Sequence, residues 1–418
     1  MNSKVSYKKS IFFTSIGTFL EWYEFGIFGY VAIYLTQSFL PAESPFLMTV
    51  YSFGIFGLGY VARPIGGLIF GHLGDLRGRN YVIIVSSLIM SFSMLFTALI
   101  PSYKTIGWLA VLLLIVSRLV QGASTGGEYT GTLVSLMEQS DKYGKGKKNN
   151  RGFIGSYGTF LSNVGFFASL IIVNILSELL TKQEMLSWGW RIPFVIGFIL
   201  GLIFFILRLN IKETINVSKS KGKTKAPIFL VFKNHKKVFF LSTIITLLSN
   251  TLYYVYFIFF PSLNRLHGLK GDVSINIVLF IFAFLILLAG FSSDYIGRKK
   301  MLFFSSILSI IAIIILLVLH IESILIYISV LSIFYAFVLG SANLIVVEIF
   351  PESCRLTGFG FSYNIANAIG GFTPMVCMII FHDYHNFGSI LIFLIIVLIL
   401  MFLMSLFIKE PTFEKLKK

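Results

Sequence analysis

Seven polar side chains interrupt stretches that are otherwise apolar: Glu21, Glu24, Arg63, Arg118, Gln121, Thr125 and Glu128. An ionisable group at the centre of a membrane helix costs about 2.5–3.5 kcal/mol or more, so its default role is functional. Glu21 and Glu24 stand one helical turn apart near the middle of the first apolar stretch, and Arg63 precedes Pro64 in the second. Arg118, Gln121, Thr125 and Glu128 in the fourth fall within an arc of roughly 80°, a polar stripe about 15 Å long. Such a stripe has to face a hydrated path or a partner helix, not lipid. The chemistry on offer is proton exchange. A carboxylate beside an arginine is held as the anion, and protonation breaks the pair. Glu21 or Glu24 is expected to pair with Arg118, with Glu128 contributing further toward the cytoplasm. A buried ion pair that only fixes packing is the alternative role for these residues.

The elements that position them are membrane helices. Of 418 residues, 56% are hydrophobic and 12% charged, against roughly 45–50% and about 25% for a soluble domain. Mean hydropathy is +0.87. Apolar stretches long enough to span occur near 11–35, 47–73, 81–100, 106–136, 153–178 and 191–207. They resume near 238–262, 273–292, 301–319, 323–347, 358–381 and 388–408. The first reads as an uncleaved helix, because no small-residue cleavage site follows a short apolar core.

The net charge of +16 reports orientation rather than a nucleic-acid partner. Most Lys and Arg fall in the two tails and in alternate loops, leaving Lys104, Lys182, Arg265 and Lys270 on the opposite side. By the positive-inside rule both termini are cytoplasmic. Cys354 and Cys377 match no metal spacing, and the six His are scattered. No cofactor, metal or catalytic constellation is expected.

The basic stretch RLNIKETINVSKSKGKTKAPIFLVFKNHKK, residues 208–237, divides the spans into two sets of six. It reads as a cytoplasmic loop with IFLVF lying along the membrane surface. The halves share a motif. GHLGDLRGR carries Gly71, Asp75, Gly78 and Arg79; GFSSDYIGRKK carries Gly290, Asp294, Gly297 and Arg298 at one constant offset. Both follow the second helix of their half, as in a duplicated unit whose substrate path lies between the repeats. A latch is expected there: glycines allow close approach, and the Asp sits at a helix terminus. Glu348 to Arg355, after the tenth span, reads as its counterpart. Gly122-Gly126, Gly127-Gly131 and Gly67-Gly71 are small-xxx-small pairs assigned to packing. Arg191, in WGWRIPF, is expected to anchor the start of the sixth span.

These motifs resemble the major facilitator superfamily, whose signature loop reads G-x-L-x-D-R-x-G-R-K. The first copy departs from it at Leu76-Arg77 and at Asn80. GTFLEWYEFGIFGY (17–30), ARPIGGLIFGHLGD (62–75), RLVQGASTGGEYTG (118–131), WGWRIPF (188–194) and EIFPESCRLTGFGFSYN (348–364) look like the metabolite:proton symporter family. That family includes proline/betaine, alpha-ketoglutarate, citrate and shikimate transporters. Here Thr18 stands where the family often has Asn, and Glu24 where it usually has Asp. The resemblance implies an all-α membrane fold: twelve transmembrane helices in two pseudo-symmetric six-helix bundles, residues 1–207 and 238–418. It implies a monomeric transport unit in the bacterial inner membrane, importing a small solute with protons. A proline/betaine-type zwitterion is favoured over a mono-, di- or tricarboxylate or an anion exchange. A drug antiporter is disfavoured because the fifth span lacks proline. A non-transporting membrane sensor would ordinarily need a larger cytoplasmic domain. The proline/betaine branch often carries an extended C-terminal coiled coil for osmotic sensing; here the tail stops at Lys418, about ten residues past the last span, and osmosensing of that kind is not expected. Arg63, Gln121, Thr125, Asn250, Tyr253, Tyr254, Asn364 and Asn367 are expected to line the path. Tyrosine faces suit a quaternary ammonium, and tyrosine also serves as an ordinary interface anchor.

Overall fold

A computed structural model describes residues 2–41, 44–77, 79–143, 150–209, 227–266, 273–321, 323–351, 354–384 and 387–409. Among them every regular element is helical. The first half comprises α1 (Asn2–Phe39), α2 (Pro45–Val61), α3 (Arg63–Arg77), α4 (Arg79–Leu99), α5 (Tyr103–Ile106), α6 (Trp108–Thr125), α7 (Glu128–Tyr143), α8 (Arg151–Leu179), α9 (Lys182–Ser187) and α10 (Ile192–Leu209). The second comprises α11 (Pro227–Asn234), α12 (Lys236–Tyr254), α13 (Phe260–Leu266), α14 (Val273–Ile296), α15 (Arg298–Val318), α16 (Ile324–Glu348), α17 (Arg355–Gly370), α18 (Thr373–Tyr384) and α19 (Phe387–Phe407).

Ten spans among the described residues are long and apolar enough to cross a bilayer, and Ile84–Leu99 is a shorter apolar helix. The twelfth is α1, whose apolar run is diluted by Glu21 and Glu24, both fully buried. Large apolar side chains such as Leu99, Ile203, Phe284, Phe304 and Ile396 face outward, as expected for a lipid-facing shell rather than a water-facing one.

Four spans are broken. Pro64 has no N–H to offer the Tyr60 carbonyl, and the second span turns at Ala62 between α2 and α3. Contrary to a continuous fourth helix, Gly126-Gly127 forms a turn between α6 and α7. The seventh span inserts a π-helical turn, Val255–Phe259, between α12 and α13; such turns cluster at functional sites. The eleventh breaks after Gly370, ahead of Pro374. In repeat-built carriers it is the discontinuous helices that surround the solute.

The halves meet along α2, α3, α7 and α8 from the first and α14, α16, α17 and α18 from the second, and side chains of α1 and α12 join them where Trp22 packs on Tyr253. Gly66 and Gly122 are close-approach points within the first half, as is Gly165 against the Phe19 carbonyl. A Cβ on Gly66 would meet the Ala123 carbonyl, and one on Gly122 the Gly59 carbonyl. Gly67 and Gly126 also pack against each other. Gly127 and Gly131 face open space, so the packing role expected for that pair is not found. The IFLVF segment lies within α11, where Val231 is buried and the Phe232 ring stands 4.9 Å from Phe239 and 6.1 Å from Phe361.

Candidate functional site

The interrupting charges converge inside the first half, where hydrocarbon cannot reach them. Glu21, Glu24, Arg63, Arg118 and Gln121 are all 0–1% exposed, and Thr125 and Glu128 are buried. Their partners differ from expectation. Arg63 Nη2 lies 2.9 Å from Glu21 Oε1. Arg118 makes no ion pair with either acid; it donates to the Gln121 side-chain oxygen and, at 3.3 Å, to the Phe56 carbonyl. Its guanidinium lies 3.7 Å from the Phe28 ring, and Phe25 stands between the two arginines, 4.2 Å from Arg63 and 5.3 Å from Arg118. Cation–π contacts of this kind gain strength where water is excluded. The reason for the exchange is register: Glu21 reaches the broken second span at Arg63, one turn before Glu24.

Glu24 is left in an unusual state. Both its carboxylate oxygens are buried without a hydrogen-bond partner. An unbonded buried carboxylate is costly. It is relieved by taking up a proton or by moving onto a donor.

Beside this cluster, at the interface of the halves, lies a small cavity. Trp22, Tyr129, Thr159, Ser162 and Asn163 line it from the first half, and Asn250, Tyr253, Leu339, Asn343 and Tyr363 from the second. Its free space is about 10 Å³ at the centre of a water-sized sphere, room for roughly one water. Hydrogen bonds cross it: Tyr253 Oη donates to Asn163 Oδ1 at 3.0 Å, and Asn343 Nδ2 donates to Tyr129 Oη at 3.0 Å.

Of the residues expected to line a path, Asn250 and Tyr253 line this cavity. Tyr254 Oη donates to Asn367 Oδ1 at 3.1 Å, Asn367 Nδ2 donates to the Tyr363 carbonyl, and Asn364 donates to the Gly126 carbonyl across the halves. Thr125 donates to the Gly122 carbonyl, while Arg63 and Gln121 belong to the charge cluster. The lining residues that sequence reasoning passed over are Trp22, Tyr129, Leu339, Tyr363 and the polar groups of spans 5 and 10. Asn163 and Asn343, amides inside apolar runs, were the signal.

The halves are closed on both sides of the cavity. At the basic end, Asp294 accepts from the backbone N–H groups of Gly152 (2.8 Å) and Phe153 (3.1 Å), capping the first turn of α8 from the other half. Arg298 lies 3.1 Å from Asp294 and 2.7 Å from Glu348, and Arg151 lies 3.6 Å from Glu348. Gly290 packs against Gly152 and Ser156, and Gly297 turns the chain at φ +96°, a conformation glycine adopts readily. Arg355 is separate from this network, its Nε donating to the Phe350 carbonyl at 3.2 Å. For Gly71, Asp75 and Arg79 only the helical backbone is described, and Gly78 lies outside the described residues. At the opposite end Gly57 packs on Phe372, Tyr30 Oη donates to the Phe257 carbonyl, and Phe46 stacks on His382. Arg191 bonds the Ala98, Ser187 and Ile100 carbonyls and anchors the start of α10.

No group of three or more His, Cys, Asp or Glu able to hold a metal occurs among the described residues.

Comparison with known proteins agrees with this architecture. Residues 10–226 match the family described as "Sugar (and other) transporter", and residues 270–418 match "Major Facilitator Superfamily". The glycine betaine/proline/ectoine/pipecolic acid transporter OusA of Dickeya dadantii is 30% identical, over 98% of this chain and 85% of its own. The proline/betaine transporter of Escherichia coli is 32% identical over 88% and 76%. The partially occluded inward-open structure of the xylose transporter XylE from E. coli superposes with a TM-score of 0.74 at 17% identity, over 95% of each chain. With both halves matched in order and relatives at 30% or more aligned over most of their length, the chain belongs to the major facilitator superfamily.

Proposed function

We propose that this chain imports a small zwitterionic osmolyte of the proline/betaine type together with protons, by alternating access of its two halves. The observation that carries the reading is the wall of the central cavity. Aromatic faces and neutral amides surround it, and among the described residues no Asp, Glu, Lys or Arg lines it. Such a wall suits a solute whose charges cancel. A mono-, di- or tricarboxylate, or an exchanged anion, would call for cationic side chains in the cavity, yet Arg63 and Arg118 are engaged in the charge cluster.

In this reading Glu24 is the proton carrier and Arg118 its electrostatic partner. Glu21, bonded to Arg63, holds the second span against the first, and Glu128 adds negative charge nearby. Proton on Glu24 and solute in the cavity each favour the same rearrangement of the halves, which is what couples them. Asp294, Arg298 and Glu348 hold the basic end shut on Arg151 and α8, with Gly290 and Gly297 shaping that contact. We place this end, both termini and the loop 208–237 on the cytoplasmic side of the inner membrane, with residues 1–207 and 238–418 as the two moving bundles. The transport unit is a single chain.

The test is counterflow in proteoliposomes loaded with unlabelled solute. Glycine betaine and proline should exchange with labelled solute outside; citrate and alpha-ketoglutarate should not. Exchange of the carboxylates alone would replace the proposal with the carboxylate reading. No exchange of any of the four would return the chain to a sensing role.

A further inference from the structure

Two buried donors in the central cavity have nothing to bond. Trp22 is 6% exposed and Asn250 5% exposed, and both line the cavity. Trp22 Nε1 and Asn250 Nδ2 have no hydrogen-bond partner. A buried N–H without an acceptor is a standing cost to the closed state. Much of the surrounding wall is already engaged: Asn163 Oδ1 accepts from Tyr253, Asn163 Nδ2 donates to the Thr159 carbonyl, and Asn343 donates to Tyr129. The two orphans are therefore distinctive in three ways. Both are donors, one comes from each half, and no cation accompanies them.

We propose that Trp22 and Asn250 form a carboxylate subsite, the indole N–H of α1 and the amide N–H of α12 donating to the two oxygens of one solute carboxylate. The assignment rests on the central cavity being the solute site. The same carboxylate then ties the first half to the second, so that closing the halves and binding the solute become one event. The rest of the solute meets aromatic faces. The Trp22 ring stands 5.6 Å from Tyr253 and 5.9 Å from Tyr129, and Tyr129 stacks on Tyr363 at 5.0 Å. Parting those rings would present π-faces to a cationic nitrogen. Recognition of the carboxylate by neutral donors also leaves the charge cluster free to respond to protons alone.

The experiment uses the full chain in lipid nanodiscs and two probes that share a trimethylammonium group. Glycine betaine carries a carboxylate; choline carries a hydroxyl in its place. Dissociation constants are measured for both probes on the wild-type chain, Trp22→Phe and Asn250→Leu, with the thermal transition recorded for each variant. Removing one hydrogen bond to a charged group should weaken glycine betaine about tenfold or more while choline changes little, compressing the ratio between them. Either variant, if folded, suffices. A betaine-to-choline ratio unchanged in the folded variants overturns the subsite while leaving the transporter reading intact. A wild-type chain that binds neither probe overturns that reading and the subsite with it.

Discussion

Glu21 Oε1 lies 2.9 Å from Arg63 Nη2, with the two side chains 0% and 1% exposed. One of the two acids on this turn of α1 is therefore engaged and the other is not. That division separates a structural role from a responsive one. It predicts opposite consequences for two carboxylates only three residues apart.

Neutralising the engaged acid should be costly for the fold. Glu21→Gln leaves Arg63 buried opposite an uncharged partner, and breaking a buried pair typically costs about 3–5 kcal/mol. Replacing both members, as Glu21→Gln with Arg63→Met, removes the stranded charge and should recover most of the loss. Thermal unfolding of the wild-type chain and the two variants in detergent measures this. A double variant as unstable as Glu21→Gln alone would show that the pair is not what the single change disrupts.

Asp294 supplies the second prediction. Its carboxylate caps α8 across the two halves, and losing such a cap costs about 1 kcal/mol, with a range of roughly 0.5–2. Asp294→Ala should loosen the basic end. Cys354, 2% exposed and immediately before α17 at that end, is a native reporter. In a Cys377→Ser background its alkylation by a membrane-permeant maleimide should accelerate about fivefold, the factor that 1 kcal/mol implies. An unchanged rate would mean that the cap does not hold the closed state.

Glycine substitutions should sort by what a Cβ would meet. Gly66→Ala and Gly122→Ala drive a methyl into the backbone carbonyls of Ala123 and Gly59, and overpacking of this kind costs about 1–3 kcal/mol. Gly127→Ala points into open space and should alter the melting temperature far less. Equal losses at all three positions would rule out the close-approach explanation.

Much of the architecture was readable from the chain because lipid imposes it. Each apolar run must satisfy its own backbone, so it has to be a helix, and the recurrence of Gly290, Asp294, Gly297 and Arg298 after Gly71, Asp75, Gly78 and Arg79 marked the duplication. Burial of Glu21, Glu24, Arg63 and Arg118 followed from their cost in hydrocarbon. Which acid bonds which arginine did not follow. That depends on the turn at Ala62 and on a helix–helix register set by Gly66 and Gly122, neither of which periodicity reveals. The cavity wall was only half visible for a related reason. Asn364 and Asn367 look like Asn163 and Asn343 in sequence, and all four amides are hydrogen-bonded, yet only Asn163 and Asn343 line the cavity, a difference of helix rotation.

The coupling role of Glu24 is tested most directly by uptake of labelled glycine betaine into proteoliposomes, with and without an inward proton gradient, for the wild-type chain and Glu24→Gln. Lowering the outside pH at constant inside pH should drive accumulation by the wild-type chain. Glu24→Gln should lose that accumulation while still exchanging betaine in counterflow, because the solute site is intact and only the proton has nowhere to bind. Gradient-driven accumulation that survives in Glu24→Gln would contradict the account.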